Sequence, residues 1–178
     1  MEEISGIMVS VLISCWLLLA TIANYAIRND NTVETYVNTT VHEFVDTART
    51  TGKVTASDYD QLIKKLDATG NVYDINIEAR NERQYPTMNG NEVTGYETGY
   101  EVDGTNSIMD TLYGTQEEQG NDAEGVYRLE NGDYFKVEVK NRSATLGNKL
   151  LSSIYFRVPE TGTVYVSYGG YVGNDAES

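Results

Sequence analysis

The sequence predicts an α+β chain, with a long N-terminal hydrophobic helix followed by a small domain of helices and antiparallel sheet. Three observations carry this. No charged residue occurs in the 24 positions 4–27. Apolar residues then recur at three- and four-residue spacing, at Val33, Val37, Val41, Phe44 and Ala48, the period of one helix face. From residue 72 the period changes to two, as a half-buried strand requires.

The uncharged run would extend about 36 Å as a helix at about 1.5 Å per residue, enough to cross a bilayer core with some tilt. Its densest part contains Trp16, Leu17, Leu18 and Leu19. A cleavable signal peptide fits poorly, because the start is Met1-Glu2-Glu3 rather than basic. A plain membrane anchor fits, as does a helix that spans the membrane only in storage and later packs in a filament core. Arg28 is the first base. By the positive-inside rule it would hold the C-terminal flank in the cytoplasm. The Tyr-, Thr- and Asn-rich remainder instead reads as an exported domain. A basic leader removed ahead of Met1 would reconcile the two. The chain therefore divides at residues 1–28, a hydrophobic anchor and assembly helix, and 29–178, an acidic α+β domain outside the cytoplasm.

Within that domain, Asn29-Asp30-Asn31 breaks the apolar run, so either one helix continues through residue 30 or two meet there. Gly52 ends the helical pattern. Thr55-Ala56-Ser57-Asp58 signals a capping box, opening a helix with Tyr59, Leu62, Ile63 and Leu66 on one face and Gly70 at its close. A strand is expected over 72–80, an irregular loop over 81–104 holding the tandem repeat Thr94-Gly95-Tyr96-Glu97 and Thr98-Gly99-Tyr100-Glu101, and a short helix over 107–113. Asn131-Gly132 between residues 126–130 and 133–140 predicts a type I′ hairpin. Leu146, Leu150, Leu151 and Ile154 suggest a short helix, and 164–168 a last strand closed by Gly169-Gly170.

This order of elements resembles that of type IV pilins. Three stretches extend the likeness. Residues 44–53 (Phe44-Val45-Asp46-Thr47-Ala48-Arg49 and on to Lys53) precede Thr69-Gly70-Asn71-Val72-Tyr73-Asp74-Ile75. Residues 132–141 (Gly132-Asp133-Tyr134-Phe135-Lys136 and on to Asn141) lead to Thr145-Leu146-Gly147. Val166-Ser167-Tyr168-Gly169-Gly170 ends the domain. Together they look like a family of Gram-positive, clostridial-type proteins associated with tight-adherence (Tad-type) pilus loci. The resemblance covers most of residues 41–173. It implies a pilin-like structural subunit of an extracellular filament, a homo-oligomer joined through its N-terminal helices, with the membrane and the pilus assembly machinery as earlier partners. The alternatives are a membrane-anchored minor assembly component and a ligand-binding ectodomain. The assembly interface is expected at Glu2, Glu3, Ile7, Val11, Leu18 and Ile22. Many pilins carry a glutamate at the fifth position of the mature chain, which pairs with a neighbour's N-terminal amine. Here that position is Ser5, with Glu2 and Glu3 close by.

Charge narrows the partners further. The net charge is −14, from 13 bases and 27 acids, which disfavours nucleic acid and anionic membrane surfaces. Fourteen tyrosines against three phenylalanines and one tryptophan suit half-buried strands and interfaces. Cys15 is the only cysteine, so no intrachain disulfide forms. His42 is the only histidine and is expected at a surface or interface. Glu117, Glu118, Asp122 and Glu124 could bind calcium but lack the EF-hand spacing; a solvated acidic loop is the plainer reading. Val158-Pro159-Glu160-Thr161-Gly162 recasts part of a sortase signal without the apolar span that must follow it. Asn38-Thr39-Thr40 and Asn141-Arg142-Ser143 fit the glycan acceptor pattern. No phosphate loop, nucleophile elbow or acid–base pair is recognisable, so no enzyme, metal or cofactor is expected.

Overall fold

The computed structural model describes residues 2–90, 92–114, 125–145, 149–150, 152–153 and 164–173, with the side chains of residues 2–5 and 27 outside that set. The architecture is α+β, a long apolar helix leading into a small antiparallel-sheet domain. Helix α1 (Glu2–Thr51) is unbroken over 50 residues, about 75 Å at 1.5 Å per residue. Of the two alternatives at residue 30, the single helix holds. Asn and Asp cost only tenths of a kcal/mol in a helix interior, and the Asp30 carboxylate accepts a hydrogen bond from Thr145 Oγ1 at 2.6 Å. Gly52, at φ 64°, turns the chain out of the helix.

Strand β1 (Lys53–Thr55) leads straight into α2 (Ala56–Asp67). The predicted capping box is formed. Asp58 N donates to Thr55 Oγ1 at 3.1 Å and Thr55 N donates to Asp58 Oδ2 at 3.0 Å. Leu62 and Leu66 are the buried positions of α2. Then come β2 (Tyr73–Asn89), β3 (Glu92–Gly104), α3 (Thr105–Tyr113), β4 (Val126–Arg128), β5 (Tyr134–Asn141) and β6 (Tyr165–Tyr171). The main sheet has the order β3-β2-β5-β6, all antiparallel, and β1 pairs with β4 in a separate ladder.

The second half of α1 is the inner wall of the domain. Val37, Val41 and Val45 have no exposure, and Phe44 packs on Phe135 with ring centroids 6.1 Å apart. Facing them, Ile77 and Ala79 of β2 and Phe135, Val137 and Val139 of β5 are fully buried. The alternate residues of these strands point to the other side of the sheet.

Three expectations are corrected. Residues 81–104 are not an irregular loop. They continue β2 and form β3, paired from Glu78↔Gly104 to Asn89↔Glu92 with one register shift at Thr87/Met88. The turn at Asn131-Gly132 is present, with Gly132 at φ 95° and Asp133 N bonded to Glu130 O at 3.1 Å, but its flanks do not form a hairpin. β4 goes to β1, while β5 goes between β2 and β6. The Asp133 carboxylate, accepting from Glu130 N at 2.7 Å and Glu82 N at 2.9 Å, ties this turn to β2 rather than to a sister strand. Gly169 and Gly170 lie inside β6 rather than after it. The helix expected at 107–113 starts at Thr105. Of the one expected at 146–154, residues 149–150 and 152–153 are helical, and Leu146, Leu151 and Ile154 lie outside the described residues.

Candidate assembly surface

The first half of α1 carries the residues expected to mediate assembly. From Ile7 to Tyr25, twelve large apolar side chains are each at least 50% exposed. Ile7 stands at 65%, Val11 at 55%, Leu18 at 64% and Ile22 at 50%. These four share a stripe of the helix, but Met8, Leu12, Trp16 and Leu19 on other sides are as exposed. The surface is therefore apolar all round rather than one-sided. Holding it in water would cost on the order of 10–20 kcal/mol, as much as a whole domain's stability of about 5–15 kcal/mol. By length and composition the helix can cross a membrane.

The polar residues of this segment bond inside the helix. Ser10 Oγ donates to Ile7 O, Ser14 Oγ to Ser10 O, Thr21 Oγ1 to Leu17 O and Asn24 Nδ2 to Ala20 O, all at 2.8–2.9 Å. Such back-bonds satisfy donors that would otherwise be stranded in an apolar medium. Glu2 and Glu3 lie in the first turn of α1; their side chains are outside the described set, as is that of Ser5.

Burial begins at Ala26, 3% exposed. Beyond it the domain holds the helix by a polar clamp that sequence reasoning missed. Arg49 Nε donates to Tyr171 O at 2.8 Å, and Arg49 Nη1 pairs with Asp46 Oδ1 at 3.0 Å. Tyr168 Oη donates to the same Asp46 oxygen at 3.0 Å. His42 lies flat on the Tyr168 ring, centroids 3.6 Å apart at 11°, so the single histidine serves an internal contact between α1 and β6. Only pairing across some 120 residues makes this clamp, which no local spacing announces.

The other side of the domain is a tyrosine face. Tyr134 and Tyr171 meet edge to face at 5.1 Å, with the Arg80 guanidinium 5.8 Å from the Tyr134 ring centre. Arg80, Tyr100, Tyr134, Lys136 and Tyr171 line an open hollow there. Lys136 bonds Glu138 at 2.6 Å, which holds the Glu138 carboxyl below the usual range. A buried cluster closes the sheet beside α3. Asn81 Nδ2 and Tyr127 Oη both donate to Asp103 Oδ2, at 2.9 and 2.6 Å. Burial first, then the Asp103 carboxylate, pushes the Tyr127 hydroxyl well up.

Of the remaining candidates, Asn38 is exposed and Asn141 is 1% exposed. Asn141 Oδ1 accepts from Ser143 N at 2.8 Å and Ser143 Oγ at 2.9 Å, an Asx-type turn, and Asn141 Nδ2, the atom that would carry a glycan, is itself buried. The acids Glu117, Glu118, Asp122 and Glu124 and the stretch 158–162 lie outside the described residues. Among the described residues, no group of three or more His, Cys, Asp or Glu is placed to hold a metal ion. No family model matches the chain, and neither a curated protein nor a solved structure matches it.

Proposed function

We propose that this chain is a structural subunit of an extracellular, pilus-like filament of the tight-adherence type. Its N-terminal helices pack together in the filament core, and its acidic domains form the coat. Before assembly the same helix anchors the subunit in the membrane, where the assembly machinery collects it. The observation that carries the reading is the all-round apolar surface of α1, continuous with a helix that is also the inner wall of the outer domain. A bilayer anchor needs only the first property. A filament subunit needs both, because a rigid connection fixes each domain relative to the core helices.

Glu2 and Glu3 complete the reading. An acid beside an apolar core is costly unless paired, and the first basic side chain is Arg28. Helix N-termini favour negative charge, so the first turn of a neighbouring helix is a suitable partner for these acids.

The test is Leu18→Asp in cells that make the chain. A charge at the centre of the apolar segment should abolish fibres in the sheared fraction, while the outer domain keeps its protease resistance. Normal filaments from this variant would overturn the proposal. Glu2→Gln with Glu3→Gln should slow or misregister assembly without affecting membrane insertion. An unchanged assembly rate would remove these acids from the interface.

The ectodomain reading has one observation in its favour, the hollow among Arg80, Tyr100, Tyr134, Lys136 and Tyr171. Filaments lost in Leu18→Asp cells would favour the structural role; chain found only in the membrane fraction of unmodified cells would favour the ectodomain.

A further inference from the structure

The β2–β3 ribbon does not end where the domain ends. β5 covers β2 only from Tyr73 to Arg80, whereas β2 and β3 stay paired out to Asn89↔Glu92. Every described residue of β2 from Glu82 on is exposed. A ribbon of two strands is marginal in water, and a third or fourth strand stabilises it. β3 is also the edge of its sheet, with no partner on its outer side among the described residues, and it lacks the Lys and Pro that commonly protect an edge.

The tandem repeat gives this edge two unlike faces. Tyr96, Thr98, Tyr100 and Val102 alternate with Gly95, Glu97, Gly99 and Glu101. Pro86 lies opposite Tyr96 and so joins the first face. Tyr96, Tyr100 and Val102 are 70%, 56% and 59% exposed. On the second face the Tyr85 ring lies over Gly99, and Arg83 pairs with Glu101 at 3.5 Å.

We propose that β3 is a self-complementary docking edge, which pairs antiparallel with β3 of a second copy of this chain about a two-fold axis at Thr98. The repeat selects that register. Centred on Thr98, Tyr96 of each copy meets Tyr100 of the other, Glu97 meets Gly99, and Glu101 meets Gly95. No acid faces an acid. A shift that centres the pair on Gly99 sets Glu97 against Glu101, and an in-register parallel pair sets each acid against itself. Like charges directly opposite are destabilising, and aromatic pairs are favourable. The product is a four-stranded ribbon with two cross-strand tyrosine pairs on one face, one on each side of the central Thr98 pair. A two-fold contact of this kind is isologous, so it lies between separate filaments or unassembled chains rather than along a polar filament. It does not rest on the helix-core reading.

Disulfide trapping in the full-length chain, solubilised in detergent with Cys15→Ser, tests it. Thr98→Cys should give a covalent dimer under mild oxidation, since opposed residues of an antiparallel pair lie within disulfide reach. Glu101→Cys should not, because its two copies would be roughly 20 Å apart, six residues at about 3.4 Å each. Gly95 has open space around its Cβ position and no left-handed backbone, so the fold accepts a side chain there. In Thr98→Cys chains, Gly95→Glu should lower the trapped fraction at least tenfold, by placing Glu against Glu101, and Gly95→Lys should not. Trapping of Thr98→Cys no better than Glu101→Cys, or equal effects of Glu and Lys at position 95, would overturn the pairing. Repeating the set with Leu18→Asp should leave the pattern unchanged, which separates a failure of this contact from a failure of the helix assembly.

Discussion

If the second half of α1 is a wall of the domain rather than a stalk, one aromatic side chain on it should govern the domain's stability. Phe44 is 8% exposed and packs on Phe135, which has no exposure. Phe44→Ala removes a ring from a close-packed contact and leaves a cavity under the sheet, a change that costs about 3–5 kcal/mol. Tyr36 sits two turns earlier on the same helix and is 43% exposed; Tyr36→Ala should stay within about 0.5 kcal/mol. The assay is urea unfolding of a chain beginning at Asn31, followed by circular dichroism. This chain should be folded, because Val37, Val41, Phe44 and Val45 remain in it. With a slope near 2 kcal/mol per molar urea, the Phe44→Ala midpoint should fall by roughly 2 M. A shift no larger than that of Tyr36→Ala would refute the packing argument. A chain from Asn31 that is molten or aggregated on gel filtration would refute the premise that the core is complete without the apolar segment.

Two further outcomes follow from local geometry. A Cβ on Gly169 would lie 2.8 Å from Phe135 O, a backbone atom, while one on Gly170 would lie 2.6 Å from the Arg49 guanidinium, which can withdraw only by giving up its bonds to Tyr171 O and Asp46; Gly169→Ala should therefore lower stability by about 1–3 kcal/mol and Gly170→Ala by about the cost of those exposed bonds, roughly 0.5–1.5 kcal/mol, in the same urea assay. Burial and the bond to Asp60 at 2.6 Å push the Tyr113 hydroxyl up to about 12 from 10, so from pH 10 to 12 the unfolded chain gives up a proton that the folded chain keeps, and stability falls as pH rises through that window. Tyr127, also raised, adds a loss of the same sign. Stability should not respond to either tyrosine below about pH 9, and Tyr113→Phe should flatten part of the alkaline fall; an unchanged slope would show that the Asp60 contact does not persist in solution.

The helical part of the fold was legible because burial and periodicity coincide there. Val37, Val41, Phe44 and Ala48 were expected on one face and are the core wall. The capping box at Thr55 depends on four consecutive residues, so it could be read locally. The ribbon at 81–104 could not be recognised the same way. Its alternation of Tyr96, Thr98, Tyr100 and Val102 has the strand period, but neither face meets a core, and the Gly- and Thr-rich composition looks like a loop. Asn131-Gly132 misled for a different reason. Turn chemistry dictates that the chain reverses there, and it does; it does not dictate that the two flanks pair with each other. At the candidate assembly surface, both the apolar character of Ile7, Val11, Leu18 and Ile22 and the lack of a polar face were legible, since eight further large apolar side chains lie among them between Met8 and Tyr25. The clamp of Arg49, Asp46, His42 and Tyr168 joins residues too distant for any pattern to link.

That clamp also bears on how the two halves of α1 work together. A helix free of its domain could turn about its axis, and an apolar surface alike on all sides would not tell it where to stop. Here the rotation is fixed from the domain side. Arg49 holds the backbone of β6 through Tyr171 O, Asp46 binds Tyr168, and Asp30 takes the Thr145 hydroxyl, so three polar contacts spread over 20 residues of α1 lock its azimuth. The exposed half then carries no orientational information of its own and needs none. In the proposed filament, packing of the uniform apolar surface would supply attraction, and the domains, held at a fixed angle to their helices, would decide which neighbours fit. Weakening the clamp with Arg49→Ala should thus leave membrane insertion and subunit association intact while broadening the angular order of the assembly, seen as blurred layer lines in fibre images. Sharp layer lines from that variant would place the orienting information back in the helix itself.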